Sequence, residues 1–162
     1  RPCFHCEKPV CVTVCPVGAT YKDEDRGLVL QRYERCIGCR YCATACPYAA
    51  RYFNWSKPYW TKEREGVFNP DVEMRYKGII EKCTFCIHRI KKSEELARKE
   101  NREVKDGEIV PACNLTCVSK ARFFGDLNDP ESTVSKLVRS GRAYRLHDHL
   151  GTEPKVFYLQ KA

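Results

Sequence analysis

No stretch of this 162-residue chain approaches the ~18 consecutive apolar residues that a membrane-crossing helix needs. No set of acid–base or nucleophilic side chains reads as a substrate pocket, which argues against catalysis by this chain alone. No recognised nucleic-acid motif accompanies its basic residues, and those are scattered along the chain. No signal peptide is visible, but the chain opens at Arg1 and not at methionine, so that absence says nothing. What it has in excess is cysteine: twelve residues, with a formal charge of +8.

Eight of the cysteines form two tight runs that end in Cys-Pro. The first is Cys3-Phe-His-Cys6-Glu-Lys-Pro-Val-Cys11-Val-Thr-Val-Cys15-Pro16, the second Cys36-Ile-Gly-Cys39-Arg-Tyr-Cys42-Ala-Thr-Ala-Cys46-Pro47. The second has the C-x2-C-x2-C-x3-C-P spacing that holds cubane [4Fe–4S] clusters. Soft thiolates bind iron strongly, and three of them on one loop reach three corners of a single cube. A disulfide framework and structural zinc are the competing readings. Cysteines two residues apart leave little room for disulfide geometry, and zinc sites usually combine two separated pairs.

The remaining four cysteines are Cys83-Thr-Phe-Cys86 and, after a 26-residue gap, Cys113-Asn-Leu-Thr-Cys117. Alone, that arrangement is a fair zinc signature. An internal repeat points elsewhere. Four residues beyond the last cysteine of each run stands an alanine (Ala19, Ala50, Ala121), and six beyond it an aromatic (Tyr21, Tyr52, Phe123). The third run therefore reads as another half-unit with an enlarged loop, although Val118 replaces the proline found at Pro16 and Pro47.

Several segments together resemble one family. They are Cys6-Glu-Lys-Pro9-Val-Cys11, Cys36–Pro47, Glu81-Lys-Cys83-Thr-Phe-Cys86, Pro111-Ala-Cys113, Phe124-Gly-Asp-Leu-Asn-Asp-Pro130 and Gly151-Thr-Glu-Pro-Lys-Val-Phe-Tyr-Leu159. The chain resembles the iron–sulfur subunits of molybdopterin-oxidoreductase complexes of the dimethyl sulfoxide reductase and polysulfide reductase type. Among these it is most similar to periplasmic-side, quinone-linked forms, including the ferredoxin-like part of alternative complex III. The resemblance implies four cysteine groups and four clusters, whereas three groups stand here, so a group upstream is expected.

In two-cluster ferredoxins the fourth cysteine of each run ligates the other run's cluster. That pairs Cys3, Cys6 and Cys11 with Cys46, and Cys36, Cys39 and Cys42 with Cys15. Cys83, Cys86 and Cys113 then hold a third cluster, with Cys117 directed to a fourth, [4Fe–4S] or [3Fe–4S], completed by residues upstream. The alternative is a self-contained site of Cys83, Cys86, Cys113 and Cys117. Twelve thiolates and three doubly positive oxidised cores would bring the formal +8 down to +2.

The expected fold is α+β: tandem ferredoxin-like bi-cluster units of short strands and helices, with loop insertions and a C-terminal extension. Residues 1–53 form a two-cluster unit, 54–78 an aromatic insertion loop, 79–125 a second, incomplete unit and 126–162 a packing or docking tail. Thr20–Lys22 and Leu28–Leu30 flank a polar turn and predict a hairpin. Ala49–Phe53 and Ala121–Phe124 are strand candidates, as is Lys155–Leu159. Ile87–Val104 reads as a solvated helix with one weakly apolar face. Asp129-Pro130 predicts a helix start with Val134, Leu137 and Val138 as its buried stripe. His5 and His88 lie beside ligands in supporting or exposed roles, and His147 and His149 form no metal set.

The function expected is electron relay between a molybdopterin-type subunit and a membrane quinone or haem partner. The implied partners are that subunit, a quinone-binding integral membrane subunit and cytochrome c, with no nucleic acid. The implied place is the periplasmic face of the membrane, with the cytoplasmic face as alternative. A freely diffusing polyferredoxin and a zinc-stabilised interaction module are the other readings.

Overall fold

A computed structural model describes residues 2–161. Its helices are α1 (Val10–Thr13), α2 (Tyr41–Ala45), α3 (Lys62–Glu65), α4 (Ile87–Lys99), α5 (Ala112–Leu115) and α6 (Thr133–Arg139). Its strands are β1 (Thr20–Asp23), β2 (Leu28–Gln31), β3 (Arg51–Phe53), β4 (Ile80–Lys82), β5 (Ala143–Tyr144) and β6 (Tyr158–Leu159), paired as three antiparallel two-stranded ribbons, β1–β2, β3–β4 and β5–β6. This is a small mixed α and β fold with short elements, compatible with a ferredoxin-like α+β domain. Helices of four or five residues are far below the ~12 at which a helix becomes marginal by itself. Packing must therefore hold them. The chain divides into two compact units, one running to Thr84 and including Asp148–Lys155, the other made of Phe85–His147 and the residues from Val156 onward.

In the first unit the expected hairpin is present, with Thr20 opposite Gln31 and Asp23 opposite Leu28. Leu28, Val29 and Leu30 are buried. Helix α1 packs on α2, and α2 on β3. Ala19 and Ala50, the repeated alanines, are each only 1 % exposed, so the repeat marks places where no larger side chain fits. Asp148–Lys155 returns across the first cysteine run. The Glu7 and Lys8 N–H groups donate to Glu153 and Thr152 carbonyls (2.8 and 3.1 Å), and the Lys155 N–H donates to Phe4 O (2.9 Å). The buried Tyr48 and Thr152 hydroxyls meet at 2.6 Å, and the Tyr48 ring lies 4.4 Å from that of Phe4. Losing one such hydrogen bond costs about 1 kcal/mol. Tyr48→Phe is therefore expected to speed amide exchange at Glu7 and Lys8 roughly 5-fold, while exchange in α4 stays unchanged.

Residues 54–78 carry the single-turn α3 and are held by ring contacts. Trp60 meets Phe68 edge-on at 5.3 Å, and the Arg40 guanidinium lies 5.0 Å from the Trp55 ring centre. Trp55 and Tyr59 remain mostly exposed.

In the second unit α4 buries Ile90 and Ala97 and leaves Leu96 half exposed, the weak apolar face expected. Arg102 forks onto both Glu108 oxygens (2.8 and 2.9 Å) and closes the turn that follows α4. Helix α6 begins at Thr133, later than the Asp129-Pro130 signal. Ser132 caps it by accepting from the Ser135 N–H. Its buried face is Ser132 and Ser135, whose hydroxyls donate to the Asp126 and Leu127 carbonyls (2.6 and 3.2 Å). Val134, Leu137 and Val138 are only partly covered. The cap outranks the apolar stripe here because buried carbonyls must find donors. Residues 121–124 form no strand; no backbone pairs with them, and the Arg122 carbonyl accepts from the Asn114 side chain. The final strand shrinks to Tyr158–Leu159 against β5.

Candidate metal centres

Each cysteine run is a loop that enters one helical turn. Helix α1 carries Cys11, α2 carries Cys42 and α5 carries Cys113. No disulfide joins any of the twelve cysteines among the described residues. Two open cavities lie in the first unit. One is lined by Cys3, Cys6, Cys11 and Cys46 together with Tyr48, Arg51 and Thr152. The other is lined by Cys15, Cys36, Cys39 and Cys42 together with Thr20 and Gln31. Each cavity thus takes three cysteines from one run and the last cysteine of the other.

The backbone repeats more faithfully than the side chains. Two residues after the first cysteine of each run the chain is left-handed: His5 (φ 43°), Gly38 (φ 67°) and Phe85 (φ 53°). Three residues after the last cysteine it is left-handed again: Gly18 (φ 60°), Ala49 (φ 47°) and Lys120 (φ 49°). Only two of these six are glycine, and such strain in other residues concentrates at functional sites. Backbone N–H groups reach four of the sulfurs. The His5 N–H donates to Cys3 Sγ, Thr20 to Cys15 Sγ and Ile80 to Cys36 Sγ, all at 3.5 Å, and Ala112 to Cys86 Sγ at 3.4 Å. Around Cys15, on either side of the left-handed Gly18, the N–H groups of Val17, Ala19 and Thr20 converge on one sulfur, as in an anion-holding concavity.

Burial pushes the Cys6 thiol up to about 11. Burial also raises Cys11 and Cys42, with the Arg51 guanidinium opposing it in both. Cys15 goes the other way. Burial would raise it, but the N–H groups of Thr20, Val17 and Ala19 together hold it below the usual thiol value. Cys117 is likewise held low, first by the Ser119 hydroxyl and then by the Ala121 N–H. Cys15 and Cys117 therefore share donors two and four residues downstream, although only the first precedes proline.

Three basic side chains are buried in the first unit, and one of them, Arg51, lines the first cavity. His5 is fully buried, and its Nδ1 accepts from the Val29 N–H at 3.1 Å; burial drives its basicity well down. It supports β2 and is not exposed. Arg51 and Lys82 are each 7 % exposed and face each other across the β3–β4 ribbon. Lys82 Nζ donates to the Cys83 carbonyl at 2.7 Å. Arg51 Nη1 donates to Thr20 Oγ1 and Gln31 Oε1, both at 3.1 Å, while its buried Nη2 meets no acceptor among the described residues. Two inward cations side by side in an unpaired ribbon are costly unless anions face them. A thiolate-bound iron–sulfur cube, which carries net negative charge, is such an anion, so the donor set and the orphaned guanidinium fit the group.

The third run looks different. Cys113 is exposed, as are Ala121, Leu115, Val118 and Phe123, with Val118 at 99 %. Where Ala19 and Ala50 are sealed, Ala121 is open, and α5 has no helix packed on it in the manner of α1 on α2. Arg51, Lys82 and the returning Asp148–Lys155 segment were not singled out by sequence reasoning. Arg51 sits five residues after Cys46, as Arg122 does after Cys117, and that echo was the available signal.

A 4Fe–4S dicluster domain family matches residues 1–64. The iron–sulfur cluster-binding subunit of menaquinone reductase from Nitratidesulfovibrio vulgaris is 49 % identical over 99 % of the chain and 64 % of its own length. An Hdr-like menaquinol oxidoreductase iron–sulfur subunit from Archaeoglobus fulgidus is 45 % identical over 98 % of the chain and 55 % of its own length. The arsenate respiratory reductase iron–sulfur subunit of Shewanella sp. is 37 % identical over 98 % of the chain and 73 % of its own length. The chain spans about half to two thirds of the length of most curated relatives it matches. Similarity of this extent, reaching well beyond the dicluster region, shows that the chain belongs to the family of [4Fe–4S] iron–sulfur subunits of multi-subunit reductases.

Proposed function

We propose that this chain relays single electrons through [4Fe–4S] clusters held by its three cysteine runs. The observation that carries the reading is the exchange of Cys15 and Cys46 between two otherwise separate four-thiol cavities. Cys3, Cys6, Cys11 and Cys46 hold one cluster, and Cys36, Cys39, Cys42 and Cys15 the next. Cys83, Cys86 and Cys113 ligate a third, and Cys117 is donated to a fourth, [4Fe–4S] or [3Fe–4S], completed by a further half-unit. The donors around Cys117 and the bare apolar surface at Leu115, Val118 and Phe123 support that last assignment. Bound clusters supply one-electron chemistry, at potentials set by hydrogen bonds to sulfur, charge and solvent exposure. The chain's own work is to bring the thiols together, aim N–H groups at sulfur and set the Arg51 guanidinium beside the first site.

In this reading the chain comprises tandem bi-cluster units at 1–53 and 79–125, the aromatic loop 54–78 and the tail 126–162. It works beside a molybdopterin-type or derived subunit and a membrane partner that handles quinone, with cytochrome c as a further exchange partner. The complex sits at the membrane on its periplasmic side. The chain's similarity to subunits of menaquinone and menaquinol complexes supports the quinone link. No helix among the described residues is long and apolar enough to cross a membrane.

The test is metal and sulfide analysis of the full-length protein purified without oxygen, with spectra of the dithionite-reduced state. Iron and acid-labile sulfide in equal amounts, with reduced-state paramagnetic signals, are expected; zinc without sulfide would overturn the assignment. Cys117→Ala separates the two readings of the third run. If Cys117 serves a further site, the cluster on Cys83, Cys86 and Cys113 survives. Loss of that signal would make the third site self-contained.

A further inference from the structure

Arg51 stands where the two cavities of the first unit come together. Its guanidinium lines the cavity of Cys3, Cys6, Cys11 and Cys46. Through Nη1 it is fixed to Thr20 and Gln31, which line the cavity of Cys15, Cys36, Cys39 and Cys42. The remaining nitrogen is buried and meets no acceptor among the described residues. No carboxylate forms an ion pair with it there, and its cross-strand neighbour is a second cation, Lys82. An arginine cannot shed its proton to escape such a place. Its strongest favourable charge interactions are with Cys11 and Cys42, one ligand from each cavity.

We propose that Arg51 is a fixed positive charge shared by the two neighbouring cluster sites, raising the reduction potential of both. The proposal rests on the cluster assignment above and deepens it. Each electron taken up makes a site one unit more negative. A buried cation between the sites stabilises that added charge wherever it resides, and poor solvation strengthens the effect. The Thr20 and Gln31 oxygens act as positioning groups. They keep the guanidinium between the cavities and stop it from turning wholly into one. Lys82 differs in reach, since its strongest favourable charge interactions are with Cys3, Cys83 and Cys11.

The test uses the full-length protein under anaerobic conditions, with potentiometric titration followed by paramagnetic resonance. Cys6→Ser and Cys39→Ser identify the two signals. In Arg51→Gln both midpoint potentials are expected to move to more negative values, with iron and sulfide contents unchanged. Arg51→Lys should restore both most of the way. Lys82→Gln should move the first signal more than the second. Unmoved potentials in an Arg51→Gln protein that keeps its iron would overturn the proposal, as would an equal shift in Arg51→Lys and Arg51→Gln. If Arg51→Gln loses iron while Arg51→Lys retains it, charge is again the requirement. Iron lost from both would assign Arg51 to shape and defeat the proposal. Wild-type protein without any cluster signal would instead defeat the cluster assignment itself.

Discussion

Removing iron from this protein with an oxidant and a chelator is expected to abolish its cooperative unfolding transition. The reason lies in the size of what remains. The longest strand has four residues, two ribbons have strands of two or three, and four of the six helices span five residues or fewer. The buried apolar set is modest and includes two cysteines and three alanines. Ribbons of two strands are marginal by themselves in water. Left empty, each cavity of the first unit leaves four thiols around open space and a buried guanidinium without an anion. Metal–thiolate bonds formed only in the folded state contribute their binding free energy to folding. Calorimetry and far-ultraviolet dichroism of the holo and stripped forms check this. A stripped protein that still melts in one sharp step near the holo temperature would show that the polypeptide core suffices.

The second large effect is expected from a single methyl group. Gly38 lies between Cys36 and Cys39 with φ +67°, and a Cβ built there would fall 1.9 Å from the Gly78 carbonyl oxygen. That oxygen belongs to the backbone leading into β4 and cannot turn aside as a long side chain could. Overpacking costs about 1–3 kcal/mol, and the left-handed backbone adds about 1–2 kcal/mol for a residue with a Cβ. Against a typical stability of about 5–15 kcal/mol this is large. The strain would also fall on the loop that spaces Cys36 from Cys39 and on the Ile80 N–H that donates to Cys36 Sγ. Gly38→Ala should therefore lose most of the iron of the second site while the first site keeps its signal. Gly66→Ala, where a Cβ meets nothing within 4 Å, is the matched control and should behave as wild type. Full iron content and an unchanged melting temperature in Gly38→Ala would mean that the loop can shift.

Spacing carried much of the site. Cysteines two or three residues apart must lie on one loop, so Cys36, Cys39 and Cys42 could be grouped from sequence. In the sequence the Ala19 and Ala50 echo marks only a repeat, and the structure adds that both positions are sealed, each 1 % exposed. The same echo at Ala121 marks an open one: the side chain is retained, but no neighbouring element among the described residues covers it. The α6 face was misread because period alone cannot weigh an apolar stripe against a serine that must supply donors to buried carbonyls. Left-handed positions such as Phe85 and Lys120 carry no sequence mark, since neither residue type favours that conformation.

By itself, the sequence determined which sulfurs form a set and what metal chemistry they suit, since ligand type and close spacing are properties of the chain. Tertiary structure alone folded Asp148–Lys155 back over the first run and set Arg51 beside the first cavity opposite Lys82. Those outcomes depend on which strands pair and in which register. A slip of β4 by one residue against β3 would turn Lys82 to the opposite face of the ribbon and part it from Arg51.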